Sequence, residues 1–456
     1  MMKKTGLLFY LLCCSILVAF CQAPPQPQLS NFKNKVETYT DAFVNANLFS
    51  GSILVAHKNK ILFEKGYGWA SRRFQIPNGP EIKYRTGSVT KSLTAICLLQ
   101  LVEKGKLSLE DPLTKFIPDY QYGEKIKIKH LLSHTSGIKR DIKFPEVKTY
   151  PLEELVEMSR VDSLMYEPSS KMSYSNCGYV LLEHILEKVT GEKYETYLQK
   201  NVLQPMQLGD MGIEHPAFPP ANFADGFVVG VNNEGNLAIG EAPDNRDNYS
   251  LAVGSLYATS PALWKFCRQI GKSDVLSPET WNKALTPFDA PSRSYKWGYG
   301  FNIYESNSLR VINHNGRTTG FRGGYFYYPD WDLCIIILGN NSNADRGPIV
   351  DAYEKMLSGK EFYQPELVSP IKLDKKELTK YIGEYKTQQF SFKVIQKRES
   401  LFVVSHGDPP TRLTPFAKDS FYADFFDLKL LFKRENGKIT ACEWTYLGKP
   451  TEGKKL

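Results

Sequence analysis

Runs of apolar residues predict strands before and after a long mixed region of the chain. Residues 51–56 and 61–64 read as two strands, and the polar segment between them predicts a turn. Strand-like runs return further along, at residues 299–304, 309–313, 324–328 and 333–338. Several of these runs alternate in polarity and others are continuously apolar, as strands are when they face one or two buried surfaces.

Helical patterns come before and between these strands. Residues 29–48 predict a surface helix, and residues 152–158 and 179–189 predict two more. Residues 88–104 form the most apolar helix, because leucine, isoleucine and valine cover most of its circumference. A helix that is apolar nearly all round is a buried one, and Gly105 supplies its end.

A break comes near residues 362–370, where prolines and polar residues cluster, and the sequence pattern changes from about residue 373 onward. Short strand candidates follow, at residues 381–385, 391–395, 401–404 and 428–432. We therefore predict a main domain over residues 24–365 and a small β-sandwich or barrel domain over residues 371–456.

The N-terminus has the pattern of an export signal. Lys3 and Lys4 precede an uncharged apolar run of 15 residues, 6–20, which is short for a membrane span. We predict a signal peptide over residues 1–23 and an exported protein, either periplasmic or a membrane-anchored lipoprotein lipidated at Cys21. Ordinary cleavage near residues 21–23 and a retained anchor are the alternatives.

Composition narrows the class of protein and of partner. The chain has 456 residues, 42% of them hydrophobic and 23% charged, which indicates a folded protein of more than one domain. The formal net charge of +8 is scattered along the chain, so no nucleic-acid partner is expected.

Cysteine usage indicates buried thiols. Five cysteines follow the leader without paired spacing, and we expect free thiols and no disulfide framework. There is no C-x-x-C pair, and Glu183-His184 lacks the second histidine of a zinc motif. We therefore predict no metal and no cofactor.

Candidate chemistry begins at Ser88-Val89-Thr90-Lys91. Residues i and i+3 share one face of a helix, so a buried helix would hold this hydroxyl beside this amine. Burial disfavours the charged lysine, and neutral Lys91 could take the proton of Ser88. The alternative is that Ser88 only caps the helix.

Two further motifs carry groups suited to acyl transfer. Tyr174 in Tyr174-Ser175-Asn176 could move protons, and Asn176 could hold a substrate carbonyl or the lysine. His314-Asn315-Gly316 ends an apolar strand, and the N–H of Arg317 could join that of Ser88 as an oxyanion hole. A packed tyrosine and a surface histidine are the structural alternatives.

The three motifs occur in an order that resembles the serine β-lactamase and penicillin-binding protein-like family. The similarity is to its class C, D,D-peptidase and esterase branch and covers roughly residues 47–357. Residues 84–91 resemble the nucleophile motif, residues 128–137 resemble a landmark outside the site, and residues 254–259 resemble a later family segment. Residues 174–176 match Y-x-N, and residues 314–316 match the H-x-G variant of K-T-G.

The resemblance implies an α+β fold with an antiparallel sheet flanked by helices, an all-helical region and a small C-terminal β domain. It assigns the acyl-enzyme to Ser88 and proton transfer to Lys91 and Tyr174. Asn176, His314, Gly316 and Arg317 would bind substrate or the oxyanion. His134, in the landmark segment, would be structural and away from the nucleophile.

The implied function is a serine hydrolase that cleaves an ester, an amide or a D-amino-acid peptide. Its partner would be a small molecule or peptide, with the cell wall as one source. Three departures leave the substrate open, since His314 replaces lysine, Arg317 replaces a small residue and Ser169 replaces glycine. The alternative is a non-catalytic binding or sensor module that keeps the fold.

Overall fold

The structure is a computed structural model that describes most of the chain after the leader. The described residues are 26–45, 48–146, 148–215, 219–231, 237–243, 250–291, 296–364, 368–405, 410–423, 428–446 and 448–456. The predicted signal peptide and the predicted lipidation at Cys21 lie outside the described residues.

A seven-stranded antiparallel sheet organises the larger part of the molecule. Its strands are β1 (Gly51–His57), β2 (Lys60–Tyr67), β10 (Lys296–Trp297), β11 (Asn302–Ser306), β12 (Leu309–Thr318), β13 (Phe321–Tyr328) and β14 (Leu333–Gly339). The order is β10-β11-β12-β13-β14-β1-β2, so the first hairpin is joined to the five later strands through the β1–β14 pair. The strand predicted at 299–304 begins only at Asn302.

Three smaller sheets lie outside this one. They consist of β3 (Trp69–Ser71) with β4 (Ile76–Pro77), of β7 (Phe227–Val231) with β8 (Leu237–Glu241), and of β5 (Tyr84–Arg85), β9 (Leu256–Ala258) and β6 (Met211–Ile213) in the order β5-β9-β6.

Helices cover both faces of the large sheet. They are α1 (Phe32–Asn45), α2 (Thr90–Glu103), α3 (Ile128–Leu132), α4 (Leu152–Met158), α5 (Asn176–Thr190), α6 (Tyr194–Leu198), α7 (Leu251–Gly254), α8 (Ser260–Gln269), α9 (Pro278–Ala284), α10 (Arg346–Leu357) and α11 (Lys375–Thr379). Helix α1 is shorter than the predicted 29–48. A 3₁₀ turn, Gly87–Val89, precedes α2, where one continuous helix was predicted.

Strand β14 shows how one sheet serves two cores. Its residues are all buried, and successive side chains point to opposite faces of the sheet. Ile336 and Leu338 join the core that contains α2, α5 and α8, whereas Ile335 and Ile337 join the core that contains α1 and α10. A continuously apolar strand is therefore the pattern that a sheet covered on both faces requires.

The C-terminal strands close into a barrel. Its eight strands are β15 (Gly383–Lys386), β16 (Ser391–Lys397), β17 (Ser400–Ser405), β18 (Thr411–Ala417), β19 (Ser420–Ala423), β20 (Leu428–Glu435), β21 (Lys438–Tyr446) and β22 (Lys449–Lys455). The barrel has a hydrophobic cluster of its own, drawn from residues 378–442. The α+β fold and the small β domain are confirmed, and the exact domain boundaries stay a prediction.

Two other expectations concern the described residues alone. Cys97, Cys177, Cys267, Cys334 and Cys442 are buried free thiols, as predicted. Among the helices described, none combines the length and the apolar character needed to cross a bilayer.

Candidate active site

Ser88 lies where a short strand turns into the most deeply buried helix. Strand β5 ends at Arg85, the 3₁₀ turn Gly87–Val89 carries Ser88, and α2 begins at Thr90. Gly87 has φ +55°, a conformation that favours glycine, and the Thr90 hydroxyl donates a hydrogen bond to its carbonyl over 2.7 Å. The turn holds the partly exposed Ser88 side chain at the start of a helix.

Lys91 meets Ser88 from one turn along this helix. Lys91 Nζ lies 3.2 Å from Ser88 Oγ and donates a 2.6 Å hydrogen bond to the carbonyl of Val253. The lysine has no solvent exposure. Burial lowers the pKa of Lys91 well below its usual range, opposed by the charge of Asp141 and reinforced by that of Arg140. The predicted pairing of a hydroxyl with a buried amine is present.

Aromatic rings surround the amine of Lys91. Its Nζ lies 5.2 Å from the ring centre of Tyr174 and 5.4 Å from that of Tyr179. Trp297 packs against Tyr174 with a centroid distance of 5.5 Å. Burial raises the pKa of Tyr174, and its interaction with the nearby Ser88 acts in the opposite direction. The phenol is therefore protonated at neutral pH and close to the nucleophile.

The structure corrects the expectation for His134. It was predicted to lie away from the nucleophile, yet its ring stacks on Tyr174 with centroids 4.2 Å apart. Its Nδ1 accepts the backbone N–H of Ser175 over 3.2 Å. Burial lowers the pKa of His134, and the charge of Lys91 lowers it further. The ring of His134 thus packs directly against that of Tyr174, and the landmark segment lies next to the site.

Asn176 begins α5 beside the nucleophile. Its side-chain amide donates to Asp141 Oδ1 over 2.5 Å, and its backbone N–H donates to the carbonyl of Arg140 over 2.7 Å. Its Oδ1 atom is buried and accepts no hydrogen bond from any described residue. The amide is therefore oriented by its nitrogen, and its oxygen remains available to a ligand.

His314 is a buried neutral group, not a surface histidine. Its Nδ1 donates to the carbonyl of Asn315 over 2.9 Å, which leaves Nε2 as an acceptor. Burial lowers its pKa to about 3, with the charge of Lys91 as the next cause. Where the related motif carries a cationic lysine, this chain places an uncharged acceptor.

Gly316 and Gly87 allow strand β12 to approach the nucleophile turn closely. A Cβ on Gly316 would lie 1.6 Å from the carbonyl oxygen of Thr86 and 3.0 Å from the nitrogen of Ser88. A Cβ on Gly87 would lie 2.8 Å from the nitrogen of Arg317. The backbone nitrogens of Ser88 and Arg317 therefore lie on facing elements at the nucleophile, as a pair of oxyanion donors requires.

Buried polar atoms without partners concentrate around this centre. Within the described part of the chain, Tyr174 Oη, Asn176 Oδ1, His314 Nε2 and His134 Nε2 are among those that have no hydrogen bond in the static structure. Each such atom is costly unless water or a ligand satisfies it. A cavity of about 770 Å³ is lined by Asn176, together with Ser88, Val253, Arg317 and others. The arrangement is suited to a bound polar substrate.

The sequence motifs contain the reacting residues but not the residues that hold them in place. Val253, Trp297 and Asp141 contact Lys91, Tyr174 and Asn176, and none of the three belongs to a motif. Only Val253 had a nearby signal, because it precedes the family-like segment 254–259. The tertiary fold brings Trp297 and Asp141 to the site, and no local sequence pattern predicts this position for either residue.

Comparisons with known proteins show which proteins this chain is similar to. A family model described as Beta-lactamase matches residues 32–359. A penicillin-binding protein of Bacillus subtilis is 24% identical over 426 residues, which covers 88% of this chain and 94% of the relative. The teichoic acid D-alanine hydrolase of Staphylococcus aureus is 27% identical over 325 residues, covering 69% and 77%.

One solved structure shows the same fold. The D-amino acid amidase of Ochrobactrum anthropi superposes with a TM-score of 0.62 at 21% identity. The superposition covers 72% of this chain and 99% of the amidase.

Proposed function

The chain belongs to the beta-lactamase family, and on this premise we propose that it is a serine hydrolase that forms an acyl-enzyme at Ser88. The observation that carries the proposal is the 3.2 Å approach of Lys91 Nζ to Ser88 Oγ beside an open cavity. A buried amine with a lowered pKa is a suitable base for a serine hydroxyl.

In the proposed reaction Lys91 takes the proton of Ser88 as Oγ forms a bond to the substrate carbonyl carbon. The carbonyl oxygen gains negative charge, which the N–H groups of Ser88 and Arg317 stabilise. The leaving group departs with a proton delivered by way of Tyr174 and Lys91, because Tyr174 is protonated and adjacent. Water then attacks the acyl carbon and gives a proton to the same groups. As the bond between that carbon and Oγ breaks, this proton passes to Ser88 and the acid product leaves.

We propose a D-aminoacyl ester or amide as the substrate, with the cell wall as one source. The support comes from two names: one relative is a teichoic acid D-alanine hydrolase, and one protein of the same fold is a D-amino acid amidase. The neutral His314 fits this class better than a carboxylate-bearing antibiotic, because it offers an acceptor and no positive charge.

A labelling experiment tests the chemistry. The mature protein is incubated with a fluorophosphonate probe and its intact mass is measured, with Ser88→Ala as the matched control. We expect one adduct on the wild type and none on the variant, and we expect Ser88→Ala to abolish hydrolysis of D-alanine methyl ester. Equal rates for both proteins, or no adduct, would instead favour a non-catalytic binding module.

We also propose that the protein is exported and attached to a membrane through a lipid on Cys21. The support is the charged start, the 15-residue apolar run and the cysteine, Cys21, that directly follows this run. Fractionation of producing cells should place the wild type with membranes and Cys21→Ser in the soluble periplasmic fraction. Identical distribution of the two proteins would contradict the lipid anchor.

A further inference from the structure

A second carboxyl group lines the cavity that contains Ser88. Glu183 lies on α5, seven residues after Asn176, and this spacing places both side chains on one face of the helix. The side chain is only 4% exposed, yet it forms part of the cavity wall. The proposed mechanism assigns no step to this group.

Within the part of the chain that the structure describes, only one oxygen of Glu183 has hydrogen-bond partners. Oε2 accepts hydrogen bonds from the Ser250 hydroxyl and, over 2.8 Å, from the backbone N–H of Ala252. Oε1 accepts none from any residue that the structure describes. Because a carboxylate oxygen can accept two hydrogen bonds, Oε1 retains its full capacity for a donor that enters the cavity.

The other carboxylates of this cavity are neutralised by partners. Glu214 receives two hydrogen bonds from Arg85, at 2.7 and 3.1 Å, and Glu187 forms a 2.8 Å ion pair with Lys193. Among the described residues, Glu183 has no such ion pair. Burial raises its pKa to about 7, reinforced by Glu187 and opposed by the hydrogen bonds and Lys193. A cation placed against it would offset the cost of burying its charge.

Part of the wall of this cavity is apolar. Among the residues that line it are Tyr150, Leu152, Leu155, Leu251 and Val253. Apolar walls suit the methylene stem of an alkylammonium, and the carboxyl suits its charged end. This combination fits a group shaped like a lysine side chain.

We propose that Glu183 forms a subsite for a primary ammonium at the end of an alkyl chain on the substrate. The proposal rests on the proposed function, since it concerns D-aminoacyl substrates cleaved at Ser88. It narrows the substrate class to acyl groups with a basic side chain, of which D-lysine is the simplest probe.

The test compares hydrolysis of D-lysine methyl ester with that of D-norleucine methyl ester, which has a chain of similar length without the terminal ammonium. In the wild type we expect kcat/KM to favour D-lysine by about ten- to a hundredfold, the usual value of a charge-assisted hydrogen bond. In Glu183→Gln we expect the ratio to fall to about one, since the amide still accepts from Ser250 and Ala252.

Two controls isolate the charge. Glu195→Gln removes a carboxylate that binds the exposed His215, and it should retain the wild-type preference. Glu183→Asp keeps the charge and should retain part of the preference. A wild-type ratio near one, or equal loss of both substrates in Glu183→Gln, would overturn the subsite and leave a purely structural role for Glu183.

Binding measurements separate this proposal from the proposed function. Calorimetry measures the affinity of the wild type for free D-lysine and for free D-norleucine. This measurement depends neither on turnover nor on whether a variant folds. Tighter binding of D-lysine supports the subsite even if neither ester is hydrolysed, and equal binding overturns it. Loss of ester hydrolysis in Ser88→Ala tests the function by itself.

Discussion

Lys91 is the residue on which the proposed chemistry depends. Its amine has no contact with solvent and its pKa is lowered by burial, so it can act as a base without a histidine partner. His314 and His134 are held neutral by the same burial. The site therefore assembles uncharged acceptors around one hydroxyl, and only a few of its groups titrate near neutral pH.

Lys91→Arg should remove the base while keeping a long cationic side chain. Arginine stays protonated, so we expect kcat/KM for an ester to fall by about 10²- to 10⁴-fold, the usual contribution of a general base. Steady-state kinetics against pH checks this, and the wild type should lose activity only as falling pH protonates Lys91. A variant with wild-type activity would contradict the proposed role.

Glu183 should make the folded protein less stable as pH rises. Its pKa is about 7 when folded against an ordinary value of 4.5, so the folded state holds its proton more tightly. Stability is then greatest below about pH 4.5 and is lost towards pH 7, by roughly 3 kcal/mol for this group. Denaturant unfolding at several pH values should show this loss in the wild type but not in Glu183→Gln.

At the residue scale, the sequence predicts the reacting groups better than their environment. Ser88, Lys91, Tyr174 and His314 each belong to a short motif, and the fold brings the four together. Glu183 was noticed only as part of an incomplete zinc motif. Its cavity position depends on contacts with Ser250 and Ala252, which are remote in sequence.

Among the elements, strand β12 and the turn before α2 form the most constrained pair. The two glycines, Gly87 and Gly316, allow the backbones to approach until the Ser88 and Arg317 nitrogens face one space. The turn is also fixed through β5, which pairs with β9 in a separate small sheet. The nucleophile is thus held between two sheets.

Gly316→Ala should push these two elements apart. The new methyl group would lie 1.6 Å from the Thr86 carbonyl, so β12 or the turn must move. We expect kcat to fall by about 10²- to 10³-fold, the usual loss for one oxyanion donor. The matched control is Gly240→Ala, whose methyl group meets, among the described residues, only Val228 at 3.7 Å and should leave kinetics near wild type. Measuring kcat for an ester with both variants tests this prediction.

Element prediction from sequence succeeded where side chains carry the pattern. The strand predicted at 333–338 matches β14, because burial on both faces requires an apolar run. Residues 381–385 were predicted as one strand, but β15 begins at Gly383. Tyr381 follows α11 and belongs to the hydrophobic cluster of the barrel without being part of a strand. Strand β22 was missed because it is polar, and backbone pairing with β15 and β21 holds it in place.

At the scale of the whole molecule, the barrel and the hydrolase fold have separate hydrophobic clusters. The barrel cluster contains residues 378–442, and the two clusters of the large sheet end at residue 357. The change of sequence pattern after residue 373 therefore corresponds to the start of a separate hydrophobic core. The closure of the barrel was not predictable, since it depends on the polar last strand.

Phe421→Ala should destabilise the barrel and leave the site intact. Phe421 is fully buried against Tyr381, with ring centroids 4.7 Å apart, and such a truncation costs about 3–5 kcal/mol. We expect two calorimetric transitions, of which only one shifts, and unchanged fluorophosphonate labelling of Ser88. Leu98→Ala, in the core around α2, should shift the other transition. A single shared transition would contradict separate cores.

The two ends of the hydrolase fold meet on the face of the sheet opposite the nucleophile helix. The backbone N–H of Gln28 donates to the carbonyl of Leu357 over 2.7 Å, and Thr40 on α1 bonds Tyr353 on α10. Tension applied between the N-terminus and the C-terminal barrel would thus pass first through the contact between α1 and α10. Ser88 and its cavity lie on the other face of the sheet, so they would carry this force only after that contact had opened.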